Sequence, residues 1–240
     1  MQFVPGKTLK HAAFVVACAA VTATPTRILA QNPELMQKIQ EVKEASAANK
    51  AALAHFTWQE QQTISLKGSV KKTIISQVST GPGGEQQKVV LSSLPAAAPP
   101  SGGRLKQHIV EKKKDEYEQY GQDIGALTKQ YTQPDPALMQ QAYQQGNVSI
   151  QMGGAAGTIS LVFKNYIKPG DSMTLVFNSA TKSIMAMNVA SYLTDPKDAV
   201  TMAVQFAKLP SGVNHVSSTK VDGVSKQMTV AIQNSNYQPS

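Results

Sequence analysis

The segment from Asp171 to Lys208 constrains the fold of this chain more than any other. It contains three runs, Met173–Phe177, Ile184–Leu193 and Ala199–Ala207, which are separated by short turn-like pieces. Large apolar side chains alternate with small or polar ones along these runs. Because side chains alternate between the two faces of a strand, each run presents one large apolar face and one small or polar face. The pattern predicts an antiparallel meander that is covered on one face only.

Further strands are predicted on both sides of this segment. Before it, Phe56–Lys67, Val70–Thr80 and Gln87–Ser92 are joined by the turn signals Gly68-Ser69 and Gly81–Gly84. After residue 147 the chain continues as a series of strands, which brings the total to about ten. The late strands are Val148–Met152, Thr158–Phe163, Met173–Asn178, Ile184–Leu193, Ala199–Lys208, Val213–Val221 and Gln227–Gln233.

Three helices are predicted to cover the apolar face of this sheet. Asn32-Pro33-Glu34 combines an N-cap residue, a proline and an early acid, so a helix is expected from there to about residue 55. In Leu105–Tyr131, tyrosines and aliphatic residues recur at steps of three and four, which indicates an amphipathic helix. Asp135-Pro136 repeats the cap-plus-proline signal before Ala137–Gln145. The predicted fold class is therefore α+β.

The N-terminus has the order of regions that is typical of a secretory signal peptide. Lys7 and Lys10 precede the apolar run Ala12–Ala23, and a short polar stretch ends at Ala30. We expect residues 1–30 to be a signal peptide cleaved after Ala30, with cleavage after Ala23 as the alternative. The apolar run is too short to cross a bilayer, which takes about 20 residues in a helix. The mature chain is therefore expected in the periplasm.

Cys18 leaves a second possibility open, because Val15–Cys18 loosely resembles a lipobox. In that case Cys18 would be lipidated and would anchor the mature chain. If cleavage follows Ala30 instead, no cysteine remains, and the domain needs no disulfide chemistry. Residues 31–240 are predicted to form a single domain, in which the segment 95–104, rich in proline, alanine and glycine, is a flexible loop.

The charge distribution gives little support to nucleic-acid binding. The net charge of the full chain is +8, and removal of Lys7, Lys10 and Arg27 leaves 20 basic and 15 acidic residues, or +5. The dense basic runs are Lys71-Lys72 and Lys112–Lys114, and neither is interleaved with aromatic residues. We therefore expect no nucleic-acid partner, and at most a peripheral contact with an anionic membrane surface.

The sequence carries no recognisable catalytic motif. The histidines that remain after processing are His55, His108 and His215, and none has a partner spaced as in a zinc site. No G-x-S-x-G, P-loop or HExxH pattern is present. Gly153–Gly157 lies between two predicted strands, whereas a phosphate-binding loop should open a helix. The protein is therefore predicted to be non-enzymatic, with no cofactor and no metal.

Methionine is unusually frequent in the predicted strands. Met173, Met185, Met187 and Met202 share a parity with larger apolar neighbours and are expected to line one face. Methionine is unbranched and polarisable, and it is common on surfaces that accept varied apolar partners. Two interpretations remain open at this point: ordinary core packing under the helices, or a cavity that accommodates a ligand.

The layout of the chain resembles that of a known superfamily. The resemblance rests on a strand that opens with Phe56-Thr57-Trp58, the hairpin Leu66–Lys71, the charged segment Glu111–Glu116 and the long series of C-terminal strands. Over residues 33–235 the chain resembles bacterial exported proteins that are similar to the LolA/LolB outer-membrane lipoprotein carriers. The resemblance implies a strongly curved antiparallel sheet, a half-open barrel, whose concave face is covered by helices. It also implies an apolar cavity that receives acyl chains.

The predicted function is therefore that of a periplasmic binding or carrier protein for a lipid, acyl chain or lipoprotein. The alternative is a structural or protein-interaction component of the bacterial cell envelope with a fully packed core, in which envelope proteins would be the partners. The residues expected to line the cavity are Trp58, Ile64, Leu66, Met173, Leu175, Phe177, Met185, Met187, Val200, Met202 and Phe206.

Overall fold

The computed structural model of the protein describes residues 33–95, 104–132, 135–152 and 157–240. These residues belong to one compact unit, Gln31–Ser240. The predicted signal peptide with Cys18, most of the 95–104 loop and most of the Gly153–Gly157 turn lie outside the described residues. None of the helices in the described ranges is long and apolar enough to cross a bilayer.

The predicted helices and strands are all present. The helices are α1 (Pro33–Leu53), α2 (Arg104–Thr132) and α3 (Pro136–Gln144). Asp135 caps α3, because its side chain accepts a hydrogen bond from the backbone N–H of Ala137 at 2.8 Å. The strands are β1 (Phe56–Leu66), β2 (Ser69–Thr80), β3 (Gln86–Pro95), β4 (Val148–Met152), β5 (Thr158–Lys164), β6 (Ser172–Asn178), β7 (Ser183–Tyr192), β8 (Ala199–Lys208), β9 (Asn214–Gly223) and β10 (Met228–Pro239).

The ten strands form one open, curled antiparallel sheet in the order β3-β2-β1-β10-β9-β8-β7-β6-β5-β4. It consists of two meanders, β1–β3 and β4–β10, which join where the first strand pairs with the last. In this junction Ile64 lies opposite Val230, and Leu66 lies opposite Met228. The two meanders end at opposite edges of the sheet, so the connection from β3 to β4 has to cross it. Helices α2 and α3 belong to that connection.

Register shifts interrupt the sheet in five places. They occur between β1 and β10, β1 and β2, β2 and β3, β6 and β7, and β8 and β9. An extra residue in one strand bends the strand and increases its local twist. Bulges spread along the sheet in this way are consistent with its curl.

The main core lies between one face of the sheet and the three helices. Its buried residues come from β4–β10 and from all three helices, whereas β1 contributes only the partly buried Ile64 and Leu66. Helix α2 supplies Tyr120, Ile124 and Leu127 from one stripe, as its amphipathic pattern predicts. The residues of α2 from Glu111 to Glu116 are exposed, as their charge density predicts.

One bulge changes the predicted composition of this core. The ladder between β6 and β7 pairs Val176 with Ala186 and Phe177 with Ile184, so Met185 is the extra residue. The alternation along β7 shifts at this point. Ile184 packs against the core, whereas Met185 is 41% exposed, and the prediction that Met185 shares the apolar face with Met187 is wrong.

The two methionines of β7 provide a matched test of this register. Met187→Ala should lower the free energy of unfolding by about 2–5 kcal/mol, because it leaves a cavity in the core. Met185→Ala should change it by less than about 0.5 kcal/mol, because that side chain already contacts solvent. Urea denaturation of both variants measures the difference. Equal losses would contradict the register described here.

Candidate functional site

The structure brings together most of the residues predicted to line a cavity. Six of them lie in the core beneath the helices, and three lie at its margin with partial burial. The six are Met173, Leu175, Phe177, Met187, Val200 and Met202, and the three are Ile64, Leu66 and Phe206. Trp58 is buried in a different cluster, and Met185 lies outside the core. Met228, Val221 and Val204 are further buried members of the same face that were not included in the predicted set.

The space between α2 and the sheet is filled by side chains. Tyr120, Ile124, Leu127 and Tyr131 of α2 are all buried there. A hollow between α2 and strands β7 and β8 has a volume of about 10 Å³. A space of this size holds about one water molecule, so an acyl chain enters it only if α2 moves.

Helix α2 lies very close to the sheet at Gly223. A Cβ atom added at this position would lie 2.6 Å from Ile124 Cδ1 and 2.6 Å from the Tyr120 hydroxyl. Any larger residue would therefore have to displace these two buried side chains of α2. Tyr120 also donates a hydrogen bond to Asp198 Oδ1 at 2.8 Å, which attaches the same helical turn to the loop before β8.

The C-terminal end of α2 is attached to the sheet through a buried carboxylate. The Tyr131 hydroxyl donates to Asp171 Oδ2 at 2.5 Å and lies 2.9 Å from Ser191 Oγ. Asp171 is only 2% exposed, and its carboxylate also accepts the backbone N–H groups of Tyr166, Ile167 and Lys168. Buried charge is stable when it is hydrogen-bonded in this way. The site resembles a structural anchor more than a catalytic centre, because every bond of the carboxylate holds a backbone group or α2.

Burial makes the tyrosines around this anchor hard to ionise. Burial, followed by the hydrogen bond to Asp171, raises the pKa of Tyr131 well above its usual value. Burial also raises the pKa of Tyr166 to about 12. Tyr237 at the other end of the sheet has a raised pKa, caused by burial and then by the nearby negative charge of Glu60.

The apolar face of the sheet continues past the helices onto β1 and β2. Gln62 of β1 lies opposite Ile74 on one side and Ile232 on the other, and Ile64 lies opposite Val230. Ile64, Ile74 and Ile232 are only partly buried. A strip of accessible apolar surface therefore begins where the helix-covered core ends.

A second cluster, centred on Trp58, lies beyond this strip. The Trp58 ring stacks on the ring of Tyr237, with centroids 5.4 Å apart. The His215 ring also packs against Tyr237, with centroids 4.2 Å apart. Trp58 is 4% exposed, yet its Nε1–H has no hydrogen-bond partner among the described residues. The same holds for Asn234 Oδ1, although Asn234 Nδ2 donates to Val216 O at 3.0 Å.

Glu60 and Lys88 make the Trp58 cluster polar at its edge. Lys88 Nζ lies 2.6 and 2.8 Å from the two carboxylate oxygens of Glu60. The Glu60 side chain is 10% exposed, whereas that of Lys88 is 44% exposed. In the sequence, Glu60 is a charged residue at one of the alternate positions of β1 that are otherwise mostly apolar, such as Trp58 and Ile64, so its unusual position is apparent from the sequence alone. Its partner lies 28 residues away on β3, two strands across, and no local pattern connects the two.

The three histidines and the carboxylates do not assemble a metal site in the described part of the chain. His55 and His108 are exposed, and His215 is buried against Tyr237. His215 therefore serves packing.

The opposite face of the sheet carries an open hollow of about 300 Å³ over β6–β9. Its walls include Ser172, Thr174 and Asn188, together with an ion pair in which Lys220 Nζ lies 2.8 Å from Asp222 Oδ2. These residues have the parity opposite to that of the core. The walls also include apolar side chains, among them Val189 and Met202. The hollow lies on the face away from the helices, so it is not the helix-covered cavity that the sequence predicts.

Two solved structures are similar to this chain. A DUF1329 family protein from Desulfovibrio piger matches with 10% identity and a TM-score of 0.43, over 86% of this chain and 93% of that chain. A LolA superfamily protein from Nitrosomonas europaea matches with 8% identity and a TM-score of 0.39, over 84% of this chain and 93% of that chain. A LolA superfamily protein is thus among the similar structures, as the sequence resemblance predicted. Likeness at this level does not identify a ligand.

No protein-family model matches the sequence, and no curated protein matches it.

Removal of the Tyr131 hydroxyl tests the anchor of α2. Tyr131→Phe should lower the free energy of unfolding at pH 8 by about 1–3 kcal/mol, because Asp171 and Ser191 lose a buried partner.

The same variant tests the pH dependence of stability. Unfolded tyrosines lose their protons near pH 10, whereas the buried ones keep theirs, so the stability present below pH 10 falls as the pH rises above it. Above pH 10, each such tyrosine lowers the free energy of unfolding by up to about 1.4 kcal/mol per pH unit. Urea denaturation at pH 8 and pH 11 should show a smaller alkaline loss in Tyr131→Phe than in the wild type; an unchanged loss would contradict the assignment.

The ion pair of Glu60 and Lys88 generates a second stability test. Lys88→Met should lower the free energy of unfolding by about 2 kcal/mol, because it leaves a nearly buried carboxylate without its cation. Addition of Glu60→Gln to that variant should recover more than half of the loss, because the uncompensated charge is then gone. A double-mutant cycle in urea measures the coupling between the two side chains. Additive effects would mean that the pair contributes nothing.

Proposed function

We propose that this protein is a non-enzymatic periplasmic binding or carrier protein that takes up a lipid or an acylated ligand. The observation that carries the proposal is the apolar face of the sheet, which extends beyond the helices that cover it. Under α2 this face is buried, and at Ile64, Ile74 and Ile232 it is accessible. The periplasmic location rests on the predicted signal peptide.

Apolar and polar surfaces follow one another along this face in the same order as the tail and head of an amphiphilic ligand. The accessible apolar strip lies between the helix-covered core and the polar edge formed by Glu60 and Lys88. An acyl chain entering from the strip would move toward Val230 and Met228, while its polar head would remain near the ion pair. Each methylene of the chain that leaves water contributes about 0.8 kcal/mol, so no specific polar contact with the tail is needed.

Uptake requires that α2 move away from the sheet. The 10 Å³ hollow describes the closed state, in which the side chains of α2 occupy the place of the ligand. The buried side chains of α2 among its described ones are Tyr120, Ile124, Leu127 and Tyr131, while the segment Glu111–Glu116 is exposed. Lifting the helix has to expose these four side chains, separate α2 from Gly223 and break the hydrogen bonds of Tyr120 to Asp198 and of Tyr131 to Asp171.

The interior surface is suited to ligands of varied shape. Four of the side chains on its sheet side are methionines, at positions 173, 187, 202 and 228, and all are buried. Methionine side chains change rotamer readily and repack around an incoming group. A wall of branched residues would restrict the ligand more strongly.

Two alanine substitutions of glycine separate opening of α2 from general effects. Gly223→Ala places a methyl group 2.6 Å from Ile124 Cδ1. The substitution should weaken the packing of α2 on β9 by about 1–3 kcal/mol. We expect uptake of the fluorescent fatty acid cis-parinaric acid to become about tenfold faster or more, because 1.4 kcal/mol corresponds to a factor of ten. Gly125→Ala is the matched control, since a Cβ there meets nothing within 4 Å and strengthens the same helix. Its uptake should not be faster than that of the wild type.

The carrier proposal fails if neither the wild type nor folded Gly223→Ala takes up the fatty acid or carries lipid in native mass spectrometry. That outcome would favour the second candidate, a structural or protein-interaction component of the envelope. The observation in favour of this candidate is the filled interior, in which Leu161, Phe163, Met173 and Phe177 are fully buried. A pull-down that recovers a stable envelope protein with the intact chain would then identify the partner.

A further inference from the structure

Strand β3 forms one edge of the sheet and is open along its outer side. It pairs with β2, and within the described ranges no other strand pairs with it. Four of its large apolar side chains are more than half exposed: Val89 at 65%, Val90 at 59%, Leu91 at 53% and Leu94 at 63%. The strand is ten residues long, whereas the other edge strand, β4, has five.

This edge lacks the features that usually prevent strand pairing. Short edge strands, outward lysines and prolines blunt the edges of natural sheets. The one charged residue of β3 is Lys88, and its ammonium group is engaged by Glu60. Pro95 stands at the end of the strand, where it does not interrupt pairing of the central residues. Among the described residues, the outer backbone groups of this apolar strand have no strand partner.

The charges at the two ends of the β2–β3 hairpin are opposite. Glu85 is exposed in the turn that precedes β3. At the far end, Lys67, Lys71 and Lys72 are exposed in the β1–β2 turn and the beginning of β2. When two such hairpins pair in antiparallel orientation, the acidic end of each lies beside the basic end of the other.

We propose that β3 pairs with β3 of a second copy of this chain, in antiparallel orientation around a twofold axis near Leu91. The interface is the same surface on both copies, so it closes as a dimer. The two sheets become continuous, and their helix-covered faces lie on the same side. Each copy satisfies the open backbone groups of the other, which is the energetic basis of strand addition.

The bulge in β3 is compatible with this arrangement. Val90 lies opposite Ser76 and Ser92 lies opposite Ile75, so Leu91 is the extra residue. As a result, Lys88 and Ser93 share one face of the strand, and Val89 and Ser92 share the other. With the twofold axis between Val90 and Leu91, residues that face each other across the dimer project to the same side, and the two Lys88 side chains are kept apart.

Analytical ultracentrifugation of the full chain tests the proposal. The wild type should be dimeric, with a dissociation constant of about 10 µM or below. Val89→Lys/Leu94→Lys should be monomeric at about 100 µM, because the added charges repel across the interface. Val224→Lys is the matched control, since Val224 is 57% exposed but lies away from β3, and it should remain dimeric. A wild type that stays monomeric at that concentration, or a dimer that survives the double substitution, overturns the proposal.

Charge exchange tests the orientation of the two copies. Glu85→Lys and Lys72→Glu should each weaken the homodimer by about two- to fivefold, because each brings like charges to the same end of the interface at two symmetric positions, with β3 of the second copy between them. An equimolar mixture of the two variants should form heterodimers with about wild-type affinity, since opposite charges then meet again at both ends. Failure of the mixture to recover affinity would contradict the antiparallel pairing. The oligomeric state is measured without ligand, so its outcome is independent of the carrier proposal.

Discussion

The pairing of the first strand with the last is the interaction on which the rest of the structure depends. It joins a three-stranded and a seven-stranded meander into one sheet and leaves β3 and β4 at opposite edges. Since the chain leaves one edge and re-enters at the other, the intervening helices have to cross the sheet. The same pairing aligns Ile64 with Val230 and Leu66 with Met228, so the apolar face continues from β10 onto β1, where Gln62 interrupts it.

The closed interior follows from how α2 is attached. The absence of a side chain at Gly223 lets the helix approach β9, and the buried Asp171 holds Tyr131 at its end. Between these two points the helix fills the space with aromatic and aliphatic side chains. A carrier and a rigid scaffold therefore share this static arrangement. They differ in the free energy needed to lift α2, which includes the exposure of its buried side chains and the loss of the hydrogen bonds of Tyr120 and Tyr131.

Different parts of the molecule serve different kinds of contact. The helix-covered face and the strip beside it are apolar and are suited to a flexible chain, whereas the edge at β3 offers backbone groups to another strand. The Trp58 cluster lies between them and brings Glu60, Lys88 and the buried Trp58 indole to one end of the sheet. The proposed ligand surface and the proposed dimer edge meet at Lys88, which belongs to β3 and pairs with Glu60.

The sequence by itself determined the elements of this fold and most of its buried face. Alternation in β5–β10, turn signals between strands and the stripe of α2 are local patterns, and each predicted the observed structure, down to the burial of Met173, Met187 and Met202. Only the tertiary structure decided that a bulge turns Met185 outward, that Glu60 meets Lys88, and that α2 fills the interior. A bulge changes parity without leaving a compositional mark, and contacts between distant strands depend on register and curvature, which are properties of the assembled sheet.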